Sequence, residues 1–497
     1  MMTALLLGID IGTSNIKAVL TTSAGQVVAE SQTSYPTHFP HPGWAEQNPH
    51  DWWTGTLTVV RAVIQQTGLD AAQIKGIGVS GQGCAVTLLD EAGEIVRPAI
   101  IWMDARSEPQ CEVLRQRCAD AILRINGKAP APYNADPVLM WLHEHEPESI
   151  HRAQISLTTT GYVNFRLTGE RVLNVSDASI LFAFDLAQAN WSDVLIGSFG
   201  LPRRLYPPIA PCQYIIGTVQ PDAAAQLGIP AGLPVVAGGE DTSSAGLAIG
   251  VAQPGQALLS LGTAGTIYVV QAEAHVSPAL LAFAHVLSGQ VLLGGSMVAV
   301  GGALDWCRRI IDPQLTYDDL TALAEQAEPG AGNLLFLPYL SGELQPINDG
   351  NARGVFIGLT LSTTREQMVR AVMEGCAFAI AHNVVTAAAV GTPITEIRAV
   401  GGPTRSTLWC QMIADISGYP VSVLRNNAGA PLGNALLAAA GTGLITDLAA
   451  VAIAQAQITQ TYSPCSVVRS RYAALFAVYQ DLYGKLADSF AALSAIG

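Results

Sequence analysis

The feature that most constrains this chain is a hairpin written twice. Leu5 to Lys17 reads L-L-L-G-I-D-I-G-T-S-N-I-K: an apolar strand delivers Asp10, a Gly12-Thr13-Ser14 turn follows, and a second apolar strand, Ile16 to Leu20, leaves that turn. Gln256 to Val270 repeats the plan, with a strand to Leu261, the turn Gly262-Thr263-Ala264-Gly265 and a return strand from Thr266. Short apolar runs bounded by turn residues predict buried strands joined by tight turns. The repeat predicts an α/β chain of two similar domains, residues 1–248 and 249–497, facing each other across a ligand-binding cleft.

The intervening pattern fits that plan. Tyr35 to Gln47 is a Pro/His-rich loop, after which Asn48-Pro49-His50-Asp51 opens a helix with a cap, a first-turn proline and an early acid. Ile74 to Ser80 predicts a strand, Ala85 to Leu89 a returning one and Ala99 to Trp102 another, with helices dominating to about Leu167. Val235 to Ala237 feeds a strand into Gly238-Gly239-Glu240-Asp241. In the second half, Leu334 to Leu337, Ile397 to Val400 and Val421 to Leu424 read as strands, and Thr364-x-x-Gln367 as a capping box. A long helix from Ser466 to about Ala491 closes the chain.

Composition narrows the functional class. Of 497 residues, 49% are apolar and 13% charged, so a large core is available. The net charge of -14 argues against nucleic acid or an anionic membrane as partner. The eight cysteines contain no C-x-x-C pair and predict buried thiols in a reducing compartment. The apolar run before Asp10 lacks a basic leader and reads as a buried strand, and the Ala-rich stretch Ala435 to Ala454 as a core helix, a break and a second helix. A cytoplasmic protein is the expectation.

Several residues could carry chemistry. Asp10, the Thr13 and Ser14 hydroxyls, Lys17 and free turn N–H groups at a strand end are the parts needed to hold phosphate oxygens and Mg²⁺. The plain alternative, an Asp capping its own turn, is weakened by the second Gly-Thr turn, because facing hairpins can clamp a polyphosphate from both sides. Gly238-Gly239 lets backbone approach a ligand and aims an acid into the cleft. Glu240 and Asp241 are neighbours that cannot both point inward, and Asp241 is the choice. Gly401-Gly402 after a strand is either a helix-entry turn or a surface for a nucleotide base. Gly76-x-Gly78-x-x-Gly81 matches a dinucleotide fingerprint in form, but a strand follows it where a helix is required. His143 and His145, two apart, belong to a solvated helix face.

With those residues assembled, the chain resembles the FGGY family of carbohydrate kinases, its pentulose kinases most closely. The resemblance rests on motifs in order from Gly8 to about Gly441: G-I-D-I-G-T-S (8–14), P-G-W-A-E-Q (42–47), G-V-S-G-Q (78–82), W-M-D-A-R (102–106), G-G-E-D (238–241), L-G-T-A-G (261–265), L-P-Y-L-S-G-E (337–343), G-V-F-I-G-L (354–359), R-A-V-M-E-G (370–375), A-V-G-G-P-T-R-S-x-x-W (399–409) and P-L-G-N-A (431–435). It implies two ribonuclease-H-like domains of the actin/Hsp70 ATPase type, ATP and Mg²⁺ as cofactors, a homodimer, and transfer of phosphate to a primary hydroxyl of a small sugar such as xylulose. By the same resemblance Asp241 is the catalytic base, and Asp10 with Asp241 the metal-associated acids. Gly12, Thr13, Ser14, Lys17, Gly262, Thr263, Gly302, Gly401, Gly402 and Ser406 would contact the nucleotide. Gln82, Gly83, Cys84, Trp102, Asp104 and Asp241 would face the sugar.

Departures cluster at the sugar side. Where xylulokinases typically continue S-G-Q with Met-His, this chain has Gly83-Cys84, which predicts a roomier and less polar wall. Met103 replaces the usual Asn of the W-N-D motif, and Val138, Gly161 and Leu344 replace an expected Lys, Asp and Arg. L-xylulose, ribulose, a polyol such as erythritol, or a sugar acid therefore stand beside D-xylulose as acceptors. Outside sugar kinases, the alternatives are an actin/Hsp70-type ATPase and a non-catalytic sugar sensor.

Overall fold

The structure, a computed structural model, describes residues 4–391, 393–425 and 428–496. Two seven-stranded sheets organise it. In the first, Leu5–Ile11 pairs antiparallel with Asn15–Thr22, which pairs antiparallel with Val27–Ser34, while its other edge runs parallel to Ile74–Gly81. In the second, Gln256–Leu261 pairs antiparallel with Gly265–Gln271, which pairs with Val291–Met297, and the other edge of Gln256–Leu261 runs parallel to Glu396–Gly401. The two Gly-Thr hairpins thus hold the same place in sheets of the same local order.

Leu5–Ile11 is buried at every residue, as a strand covered by helices on both faces must be. On one face lies Pro49–Thr67, capped by the Asn48 side chain on His50 N–H and ended by a left-handed Gly68. On the other lies Ala430–Gly441, packed so closely that a Cβ on Gly8 would stand 1.8 Å from Pro431 O and one on Gly78 2.3 Å from Asn434 O. Only glycine admits that approach. Gly76, Gly78 and Gly81 all lie within the strand Ile74–Gly81, which accounts for the glycine pattern without a dinucleotide loop.

The two halves pack against each other across the boundary at residue 248. Leu432, Ala435, Leu436 and Ala439, from the second half of the chain, share a core with Leu6, Val236 and Leu247 from the first. The chain crosses back, and its two sheets are joined by more than one connection. The return strand expected at Ala85 to Leu89 shortens to Thr87–Leu89 and pairs with Ile155–Leu157, because the chain after Gly81 leaves the sheet. The strand expected at Ala99 to Trp102 shortens to Ala99–Ile100, on Glu46–Gln47.

The Thr364/Gln367 capping box forms and opens Arg365–Val390. That helix is long and apolar enough to cross a membrane, and 78% of its apolar window is buried inside the protein. The C-terminal helix Ser466–Ile496 packs back through Tyr472, Tyr479, Leu482 and Phe490 onto Tyr339 and Phe378.

Candidate active site

The opening hairpin places Asp10 one residue before the strand end, with Lys17 opposite it in register and Ser80 beside it on the parallel strand. Directly opposed residues share a sheet face, so the Lys17 stem stands on the Asp10 side. Ser80 Oγ donates to Asp10 Oδ1 at 2.7 Å. Burial, and then the negative charge of Asp241, push Asp10 up to about 7, against the smaller pull of Ser80 and Lys17. Asp10 and Asp241 are therefore close enough to feel each other across the site.

Asp241 is the first residue of the helix Asp241–Ala248, and Glu240 is its cap: Glu240 Oε2 accepts Ser243 N–H at 2.8 Å. The glutamate closes the helix, and the aspartate stands partly open. Enclosure, then the charge of Glu240, holds Asp241 well above the ordinary carboxylate range. Asp177, unnoticed in the sequence, completes the acidic cluster: it is buried, takes hydrogen bonds from Asn174 and Thr158, and is pushed up to about 7 chiefly by burial. Two hard carboxylates that disfavour each other's charge fit a divalent cation. Among the described residues no group of three or more His, Cys, Asp or Glu forms an all-protein metal cage, and Mg²⁺, which takes much of its shell from phosphate and water, needs none.

Gln47 joins the hairpin to the acceptor side. Its Nε2 donates to Thr13 O at 2.9 Å and its Oε1 accepts from Trp52 Nε1 and from Gln82 Nε2, the latter at 2.7 Å. Tyr35 OH donates to Gly12 O. Gln82 is buried, and its Oε1 has no hydrogen-bond partner among the described residues. Trp102 is exposed, and its indole N–H donates to Thr13 Oγ1 at 2.9 Å, so a residue expected at the sugar touches one expected at phosphate. The motif P-G-W-A-E-Q held Gln47 in plain view, and the register partner of Asp10 could have pointed to Ser80.

Two expectations change. Asp104 does not face the acceptor: its carboxylate is fully buried and saturated, Oδ1 accepting from the N–H and Nε of Arg106, Oδ2 from Ala45 N–H and Arg106 Nη2. Arg106 also pairs with Glu46 at 2.8 Å and lies over the Trp44 ring, so W-M-D-A-R is the buckle between two loops. The wall at Gly83-Cys84 is less polar but not roomier, because Ile180 fills it: a Cβ on Gly83 would meet Ile180 Cδ1 at 2.7 Å. Cys84 itself is buried, in a left-handed conformation, its thiol pushed up by burial and so kept neutral. Gly161 likewise leaves no room for the Asp expected there, since its Cβ would meet Leu173 Cδ2 at 2.7 Å.

On the second half, Gly262, Thr263, Gly302, Gly402 and Ser406 line one cavity of about 1080 Å³, with Trp409 and Tyr317 among its walls. Gly301 and Gly302 donate to Gly262 O and Thr263 O, which stacks the Gly301–Ile311 helix start on the second hairpin. Gly401 ends the neighbouring strand at φ 107°, and a Cβ there would lie 1.8 Å from Leu261 O. Ser406 caps Thr407–Ser417 through Trp409 N–H. His143 and His145 are exposed, as expected of a solvated helix face, with the His145 ring stacked on Trp141.

The N-terminal domain of the FGGY family of carbohydrate kinases matches residues 5–248, and the C-terminal domain matches 257–442. The chain is 35% identical to the xylulose kinase of Escherichia coli (strain K12) over 435 residues, 87% of this chain and 89% of that one. It is 29% identical over 511 aligned positions to the gluconokinase of Bacillus subtilis (strain 168), covering 98% and 97%. The crystal structure of xylulose kinase from Rhodospirillum rubrum superposes with a TM-score of 0.93 at 32% identity, covering 98% of this chain and 99% of that one.

Proposed function

This chain belongs to the FGGY family of carbohydrate kinases, and we propose that it moves the terminal phosphate of ATP to a primary hydroxyl of xylulose, giving xylulose 5-phosphate. The observation that carries this reading is the convergence of Asp10, Asp241 and the unpartnered Gln82 Oε1, from separate parts of the chain, around the hairpin tied by Gln47. ATP would lie along the cavity lined by Gly262, Thr263, Gly302, Gly402 and Ser406, its phosphates toward the Gly12-Thr13-Ser14 turn and Lys17.

A primary alcohol is too weak an acid for an ordinary carboxylate to ionise beforehand. Asp241 orients the hydroxyl and takes its proton as the new O–P bond forms, and its raised proton affinity suits it to that task. Positioning supplies much of the remaining acceleration: Gln82 Oε1 accepts a second hydroxyl, and the Gln47 network fixes Gln82 relative to the phosphate turn. Asp10 and Asp241 would hold Mg²⁺, which when bound neutralises charge on the transferring phosphate.

A sugar acid is the weaker reading, although a gluconokinase is among the relatives. The acceptor region carries Asp10, Asp177, Glu240 and Asp241, and the nearby Lys128 ammonium is already taken up by three oxygens. An acceptor panel of pentuloses, tetritols, pentitols and aldonates, assayed by coupled ADP release, tests this. D-xylulose should give at least about tenfold higher kcat/KM than any aldonate. An aldonate as best acceptor overturns the substrate, and no acceptor-dependent ADP release overturns the kinase assignment. The cytoplasmic, homodimeric state belongs to the same proposal.

A further inference from the structure

Resting on the kinase reading, in which the Gly12-Thr13-Ser14 turn meets the donor phosphates, the role of Trp102 can be taken further. Three side chains from neighbouring loops hold that turn. Tyr35 OH donates to Gly12 O, Gln47 Nε2 donates to Thr13 O at 2.9 Å, and the Trp102 indole N–H donates to Thr13 Oγ1 at 2.9 Å. The first two bonds fix the main chain. The third engages a hydroxyl, a group that can itself reach a ligand.

Trp102 stands on a firm base. Asp104 N–H donates to Ile101 O at 2.9 Å, closing a tight turn with Trp102 and Met103 at its two central positions, 45% and 44% exposed. Behind them the turn is tied down: Asp104 Oδ2 accepts Ala45 N–H at 2.6 Å, and Ala105 N–H donates to Gly43 O at 2.8 Å. Water could satisfy so exposed an indole N–H, so burial does not demand the bond to Thr13. Its consequence falls on Thr13, which is partly open.

An indole N–H only donates, whereas a hydroxyl has one proton and two lone pairs. With the indole on one lone pair, the Thr13 proton turns away from Trp102, and it has no acceptor among the described residues. A phosphate oxygen only accepts, and hydrogen bonds to ionised acceptors are roughly twice as strong as neutral ones. A hydroxyl already set as a donor meets such an oxygen without reorienting.

We propose that Trp102 is a positioning residue for the phosphate donor: its indole N–H occupies the acceptor side of the Thr13 hydroxyl, so that Thr13 presents its proton to the terminal phosphate of ATP. Trp102 acts through Thr13 and takes no part in the proton or phosphate transfer.

The test is calorimetric binding of ATP and of ADP, each with Mg²⁺ and without acceptor, so the readout does not depend on turnover. Trp102→Phe keeps an aromatic ring and loses the N–H, and Thr13→Val keeps the shape and loses the hydroxyl. Thr13→Val should weaken ATP about tenfold and Trp102→Phe at least about threefold, with ADP held within about twofold in both. The double variant should match Thr13→Val alone within about twofold, because the two residues act in series. Thr13→Ser, which restores a hydroxyl at the same place, should keep the ATP affinity of the intact protein. ATP affinity unchanged in Trp102→Phe overturns the proposal, as do losses that multiply in the double variant, equal weakening of ATP and ADP, or no ATP binding by the intact protein. A Trp102→Phe protein that loses affinity for D-xylulose alone also overturns it and assigns Trp102 to the acceptor. Coupled ADP release by the intact protein with the acceptor panel separates the two readings. The expected ATP pattern without acceptor-dependent ADP release sinks the kinase assignment and leaves the Trp102 assignment standing.

Discussion

Asp104 shows how residue type and residue role part company. An aspartate between Trp102 and Arg106 in a cleft-side motif reads as a sugar ligand, yet all its acceptor positions are filled by Arg106 and Ala45. Removing one partner of a buried ion pair strands the other, at a cost of about 3–5 kcal/mol. Asp104→Ala should therefore lower the unfolding free energy by an amount in that range, read as a lower urea midpoint, while the folded fraction keeps its acceptor KM. A stable variant with a KM raised about tenfold or more would return Asp104 to the substrate. The places of Asp10 at a strand end, Gly12 in its turn and Asp241 at a helix start were legible from the sequence, because each is set by the local pattern. Residues whose role is set by a distant partner were not. Ile180 fills the space over Gly83 from nearly a hundred positions away, and no local pattern announces that.

At the scale of elements, the hairpins were legible because alternation, burial and turn chemistry agree within one short stretch. The strands Leu281–Ala284 and Val291–Met297 were not resolved in advance, since V-L-L-G-G-S-M has the glycines of a loop. Those glycines serve close packing: a Cβ on Gly294 would lie 1.9 Å from Ile267 O. Leu281–Ala284 also docks against the first half, where the buried Lys128 Nζ donates to Ala282 O at 2.7 Å and Ser179 O at 2.8 Å. Burial pulls Lys128 down to about 7 from 10.5, against the smaller favourable pull of the Asp136 charge. The unfolded chain then holds a proton that the folded chain lacks between those two values, so stability from this group rises with pH across the window and is lowest below about 7. Unfolding free energies measured from pH 7 to 10 should climb relative to those of Lys128→Met by an amount on the order of 3 kcal/mol. A parallel pair of curves would mean that Lys128 keeps its ordinary proton affinity.

At the scale of the whole molecule, two sheets of like order each carry a Gly-Thr turn, and the second turn lines a cavity of about 1080 Å³; in the proposed function the donor lies there and the acceptor against the first half. The two-half architecture was legible from the repeated hairpin, but the crossing of Ala430–Gly441 onto the first sheet was not. That helix reads only as Ala-rich and buried, and its partners are the glycine-lined faces of Leu5–Ile11 and Ile74–Gly81. The central claim is that Asp241 takes the proton of the acceptor hydroxyl while Asp10 and the two hairpins hold the donor. Single-turnover transfer from ATP to D-xylulose in Asp241→Asn, with both ligands' affinities measured on the same protein, tests it most directly. The expected result is a transfer rate reduced by about 10²–10⁴ with both affinities kept within about threefold; transfer near the wild-type rate, with both ligands bound, would contradict the claim.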